Sequence, residues 1–214
     1  MDAHDRALFD RSWHRAWTAL VANDGTHAQR DGEALRDALL TSYGEPQRKY
    51  HTRQHLAECL ALLEEVATLA THPAEVEMAL WFHDAIYDVK GSGNEDRSAD
   101  WAHTALREAG VDADVAERVR QLVLVTKHDG VPQSPDEQVL VDIDLAILGA
   151  ERPRFDEYER QIRDEYGFVP GFLFRRKRKQ ILRTFLDRPV LYSTPTLRER
   201  LEARARENLR RAIG

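Results

Sequence analysis

Cysteine is nearly absent from this chain: Cys59 is the single one among 214 residues. One cysteine excludes an internal disulfide framework and points to a reducing compartment. On an apolar helical stretch, its ordinary role is that of a small core residue rather than a nucleophile. Long apolar runs are missing as well, so nothing approaches the roughly 20 residues that span a bilayer as a helix. The first residues, MDAHDRALFD, lack the apolar core of a signal peptide. Strand-like alternation, internal repeats, low-complexity tracts and a Gly/Pro/Ser-rich linker are also lacking. These absences leave one cytoplasmic all-α domain, and 214 residues suffice for it to enclose a sizeable core.

What remains is helical periodicity. Trp13, Trp17, Leu20 and Val21 form one apolar stripe. A short helix is expected over about 31–42. His55, Leu56, Cys59, Leu60, Leu63 and Val66 follow helical spacing in the next, and Val76, Ala79, Leu80 and His83 in the one after. Glycines 91 and 93 break the chain. A helix is then expected from about Asn94, stopping near Gly110, and another running to about Lys127. Ser134-Pro135-Asp136-Glu137 reads as a capping box with proline at the first helical position. Further helices are expected over about 152–164, 171–187 and 196–212. Phe172, Phe174, Ile181, Leu182, Phe185 and Leu186 offer an apolar face that should pack the C-terminal helices onto the rest.

Charge divides the chain. Residues 151–214 carry 17 Lys and Arg against 10 Asp and Glu, whereas residues 1–150 carry 14 against 27. The C-terminal third is therefore basic on an acidic body. RRKRK at 175–179 reads as a solvated helix face or as a patch for an anionic ligand. Interleaved aromatics are lacking, which argues against nucleic acid.

Chemistry concentrates in the stretch WFHDAIYD, where His83 and Asp84 are adjacent. Such a pair is poorly suited to burial unless something binds it, and a divalent cation would take an imidazole nitrogen and a carboxylate oxygen. His55 lies 28 residues before His83, and Asp144 lies 60 residues after Asp84 in the apolar run VLVDIDLAIL. A buried carboxylate there needs compensation. Asp142 shares that need, but on a helix it diverges from Asp144 by about 200°, so one ion takes one of them. Asp144 is the first choice and Asp142 the fallback. Buried polar residues satisfied by hydrogen bonds are the alternative for any member of this set. Mixed imidazole and carboxylate ligands suit manganese, iron, cobalt, nickel, magnesium or zinc without selecting among them.

The order His, His-Asp, distant Asp resembles the HD superfamily of metal-dependent phosphohydrolases. The succession RKYHTRQHL, WFHDAIYD, NEDRSA, LVTKHDG, DIDLAILG, YERQIRDEYGFVP, RTFLDRPVLYST and ARARENLR is similar to one bacterial family of predicted HD phosphohydrolases, from about residue 9 to the C-terminus. The resemblance implies a single helical domain over 1–214, with a metal core at about 48–150 and a helical extension at about 151–214. It implies hydrolysis of a phosphate ester or anhydride, with metal-bound hydroxide as nucleophile and a small phosphorylated substrate, a nucleotide ahead of a sugar phosphate. The expected ligands are His55, His83, Asp84 and Asp144.

Around them, Asp88 is a candidate acid/base, although Tyr87 stands where stringent-response hydrolases of the superfamily carry the first member of an acidic pair. Asp88 alternatively caps or turns the chain. Glu95 is expected either to balance a helix dipole or to contact the site. Lys127 would contact phosphate, and His128 would act in catalysis or hold a second metal. Arg48, Tyr50 and His51 would line the mouth. Arg163, with Tyr166 and Arg178, would reach phosphate or pin the last helices. His4, His14, His27, His72 and His103 read as ordinary histidines. Two other functions compete: a two-iron oxygenase, which would want more histidines than His103 and His128 between the HD pair and Asp144, and a nucleotide sensor without turnover. The oligomeric state is open.

Overall fold

The computed structural model describes residues 3–21 and 26–214, with the backbone alone for 26–31. His27 therefore lies outside the described side chains. Ten α-helices and no strand occur among the described residues: α1 (Ala3–Leu20), α2 (Thr26–Ser42), α3 (Arg53–Val66), α4 (Pro73–Phe82), α5 (Asn94–Glu108), α6 (Ala113–Val125), α7 (Pro135–Asp144), α8 (Arg152–Glu165), α9 (Gly171–Leu186) and α10 (Pro195–Ile213).

α4 is the axis of the domain. Its sequence, PAEVEMALWF, is apolar on every side, so it has no solvent face to offer and is enclosed. α1, α3, α5, α6 and α7 all pack against it. Trp81 is fully buried, edge-on to Phe9 and Trp13, and its indole N–H donates to Ser12 Oγ at 3.0 Å. Truncating such a ring costs about 3–5 kcal/mol. The two glutamates on this helix are compensated: Glu77 accepts from Ser12 and Arg15, and Glu75 from Arg118 at 2.7 and 2.8 Å. Buried charge is retained only where such partners exist.

Local signals set the ends of the elements that carry the site. Thr52 caps α3, its side chain accepting from Gln54 N. Ser134 and Glu137 form the expected capping box at α7. Gly110 takes a positive φ of 81° after α5, as a helix stop does. α7 ends at Asp144, and the chain tightens into a 3-10 segment, Leu145–Gly149. α10 and the stretch just before it fasten that segment. Arg204 Nε donates to Gly149 O at 2.6 Å, Asn208 Nδ2 to Leu148 O and Ala150 O, and Tyr192 OH to Leu145 O.

α2 begins earlier than the sequence suggested. The apolar face expected on α9 is only partly covered: Leu182 is buried, Phe174, Phe185 and Leu186 are half-buried, and Phe172 and Ile181 are exposed. Ile181 and Phe185 instead line the cavity described below.

Candidate metal centre

Three helix ends meet at one point. His55 sits in the first turn of α3, His83 and Asp84 form the turn that ends α4, and Asp144 ends α7. His55 Nε2 lies 3.1 Å from His83 Nε2, 3.2 Å from Asp144 Oδ1 and 3.6 Å from Asp84 Oδ2. His83 Nε2 lies 3.1 Å from Asp84 Oδ2 and 3.7 Å from Asp144 Oδ1. Donor atoms about 2.1 Å from a common cation are separated by roughly 3.0–3.4 Å, so three of these five spacings fit shared coordination and the other two exceed it by a few tenths of an ångström.

Both imidazoles are aimed from behind. His83 Nδ1 donates to Leu80 O at 2.7 Å, which leaves Nε2 as the free base facing inward. His55 Nδ1 lies 3.0 Å from the Tyr50 hydroxyl. Two Nε2 atoms facing each other across 3.1 Å need a shared cation or a proton between them. Without a metal, His83 is the imidazole whose hold on a proton the site strengthens. Burial works against its charge, but Asp84 and Asp144 outweigh burial and push the imidazole up to about 9. Burial likewise opposes ionisation of both carboxylates. For Asp84, His83 and His51 reverse that effect, and for Asp144 hydrogen bonds to His128 and His55 do so. Both acids lie well below the usual range.

Cys59 is the member that sequence reasoning did not place here. It lies one turn after His55, its Sγ 3.7 Å from His55 Nδ1 and 3.8 Å from Nε2. Ligand atoms of His55, Cys59, His83 and Asp144 all lie within 4.8 Å of one another, so this buried group can hold a metal ion. The i, i+4 spacing from His55 was the available signal. Burial pushes the thiol well above its usual range, so without a metal Cys59 is a neutral neighbour.

Asp142 is no part of the centre. It faces the opposite side of α7 and accepts from Ser193 N, Thr194 N and Thr194 Oγ1, each at 2.7 Å. Burial raises its carboxyl above the ordinary range, and the hydrogen bonds from the C-terminal segment offset part of that cost.

The centre opens into a cavity of about 590 Å³. Asp84 and Asp144 lie at its base, with Tyr50, His51, Tyr87, Glu95, Lys127, His128, Tyr158, Tyr166 and Arg188 on its walls. His128 Nε2 contacts Asp144 Oδ2 at 2.9 Å, so His128 is part of the cluster. It adopts a positive φ of 57°, and its buried Nδ1 has no hydrogen-bond partner. Lys127 stands at the rim with Nζ 2.6 Å from Asp96 Oδ1. Glu165 holds the segment before α3, accepting from Lys49 N, Tyr50 N and His51 N at 2.8–3.0 Å and contacting His51 Nδ1 at 2.8 Å. Its separation of more than 100 residues from these partners left no local signal in the sequence.

Three residues expected at the site stand elsewhere. Asp88 is exposed and turns the chain, its Oδ1 accepting from Lys90 N, and it lines a separate groove with Arg97 and Phe168. Arg48 is buried and does not reach the cavity. Its guanidinium donates to the carbonyls of Asp84 at 2.6 Å, Ala85 at 2.8 Å and His51 at 3.2 Å, bracing the turn that presents Asp84. Arg163 donates to Tyr166 O and Val169 O and lies over the Phe174 ring, so it shapes the α8–α9 connection. Arg178 pairs with Glu159 and lies over Tyr158. Among the described residues, no helix is long and apolar enough to cross a membrane. No family model, curated protein or solved structure matches the chain.

Proposed function

We propose that this chain is a metal-dependent phosphohydrolase of the HD superfamily, with His55, His83, Asp84 and Asp144 holding one divalent cation. The convergence of four donor atoms from three helix ends, at the base of a cavity of about 590 Å³, supports the assignment. Asp84 is preferred to Cys59 as the fourth ligand because its Oδ2 lies within 3.1–3.6 Å of both histidine Nε2 atoms, whereas the Cys59 sulfur lies 3.8 Å from His55 Nε2. When bound, the cation supplies the Lewis acidity that acidifies water and polarises a phosphoryl oxygen.

The chain's own groups complete the chemistry. Tyr50 and the Leu80 carbonyl fix the two imidazoles. His128, whose Nε2 contacts Asp144 Oδ2 at 2.9 Å, is the acid/base candidate nearest the centre. Glu95, on the cavity wall with Asp129, is a carboxylate available for a water in the open volume. His51, fixed by Glu165 and stacked on Tyr87 with ring centres 4.2 Å apart, forms an aromatic wall suited to a nucleobase.

Two measurements test this. Metal content of the purified protein should be about one divalent ion per chain. A panel of nucleotides and phosphomonoesters, assayed with manganese, cobalt, nickel, iron and magnesium, should reveal metal-dependent phosphate release. Tight nucleotide binding without release would favour a sensor, and oxygen consumption with a visible iron band would favour an oxygenase.

A further inference from the structure

Lys127 and Arg188 are the two Lys or Arg side chains on the walls of the metal cavity. They differ in what already neutralises them. Lys127 is half-buried and spends its charge on Asp96, 2.6 Å away. Arg188 is half-buried, and among the described residues no carboxylate pairs with it. Its one hydrogen bond runs from Nη2 to the carbonyl of His128 at 3.0 Å, and its guanidinium lies 4.9 Å from the centre of the Phe185 ring. Burial alone lowers its proton affinity, and no acid offsets the loss.

A half-buried guanidinium without a counter-ion is costly to keep. The protein nonetheless holds it in place from two sides, by the face of Phe185 and by the backbone of the residue that contacts Asp144. The Nε and Nη1 donors remain unused. A guanidinium presents such donors as a planar fork that matches two oxygens of one tetrahedral oxyanion. His128 links it to the centre, since His128 Nε2 contacts Asp144 and His128 O receives Arg188.

We infer that Arg188 forms an oxyanion subsite of the cavity and takes the phosphoryl group of the substrate, with Lys127 committed to Asp96. The identity of the anion as phosphoryl rests on the phosphohydrolase reading; the presence of an uncompensated cation beside the centre does not. The subsite puts the bound phosphoryl group at the cavity wall formed by Arg188, just after the end of α9.

The test is binding rather than turnover. Inorganic phosphate, and acetate beside it, are titrated calorimetrically into manganese-loaded protein. Arg188→Met keeps the stem that lies on Phe185 and removes the fork, and Arg188→Lys keeps the charge alone. Lys127→Met is the rival, and Arg176→Met removes a cation of α9 outside the cavity. Arg188→Met should weaken phosphate binding at least tenfold, Arg188→Lys should recover part of the loss, and Arg176→Met should leave the affinity within twofold. Manganese stoichiometry and melting temperature should be unchanged in all four. A larger loss in Lys127→Met than in Arg188→Met overturns the inference. So does a loss in Arg188→Met accompanied by lost metal or a lowered melting temperature, which would make Arg188 a brace for His128. Equal affinity for acetate overturns the phosphoryl assignment. Wild-type protein that binds phosphate through Arg188 but cleaves no ester refutes the phosphohydrolase reading and leaves the subsite standing. Wild-type protein that cleaves an ester with phosphate affinity untouched by Arg188→Met refutes the subsite alone.

Discussion

His128 Nε2 lies 2.9 Å from Asp144 Oδ2, while Asp144 Oδ1 faces His55 at 3.2 Å, so one carboxylate joins the centre to the residue beside it. A ligand held in this way is oriented by its neighbour, and loss of such support typically lowers metal affinity 10–100-fold. His128→Asn should therefore retain the ion in chelator competition but bind it one to two orders of magnitude more weakly. Asparagine tolerates the left-handed backbone of this position, whereas His128→Val, β-branched at a φ of 57°, should also lose about 1–2 kcal/mol of stability.

The two aspartates of α7 should separate cleanly. Asp144→Asn should abolish stoichiometric metal while leaving the helical circular dichroism intact. Asp142→Asn should keep the metal and lower stability by about 2 kcal/mol or more in urea melts, because it breaks up a buried carboxylate that satisfies three donors. The converse pattern would exchange their roles.

Arg48 should behave as a structural residue with a functional readout. Its fork serves three carbonyls, including that of Asp84. Arg48→Lys supplies one compact charge for three acceptors and should not rescue. Both Arg48→Lys and Arg48→Met should lower the melting temperature by several degrees and weaken metal binding together, in thermal melts run with and without manganese.

Glu165 predicts an acid limb of stability. Burial resists its ionisation, but His51 and the backbone amides of the 49–51 segment hold its carboxyl at about 2, below the ordinary 4.5. The folded state thus favours the charged form. Its contribution is complete above about pH 4.5 and is lost as pH falls toward 2, worth about 3 kcal/mol over that range. Urea midpoints of Glu165→Gln should be lower than wild type at pH 7, and the gap should narrow below pH 4. A constant gap would remove the linkage.

The helices were legible because their signals are local. Periodicity placed α3 and α4, and the Ser134 capping box and Gly110 marked ends that the fold respects. The His55, His83, Asp84 and Asp144 positions were legible because polar residues stand out within apolar helical runs. What failed was direction. Arg48 sits shortly before His55 in sequence and Arg163 well after Asp144, but the forks of both turn to backbone carbonyls. Asp88 follows the His-Asp turn, yet the chain reverses there and carries it to solvent. Glu165 and Arg188 gain their roles from contacts more than 50 residues away, which no local pattern encodes.

The fastening of the 145–149 segment by α10 has a consequence for the order of assembly. Tyr192, Arg204 and Asn208 close loops of 47–60 residues onto the stretch that follows Asp144. Loops of that span cost entropy before their contacts return it, and they form late. On a chain emerging N-terminus first, α1 to α6 can collapse around α4 while α7 still lacks its anchor. Asp144, on a helix that packs against α3, α4 and α6, would then gain its last support when α10 docks, so on the proposed function metal capture should favour the finished fold. On that reading a chain stalled before α10 should keep His55 and His83 in place and bind manganese more weakly than the full chain.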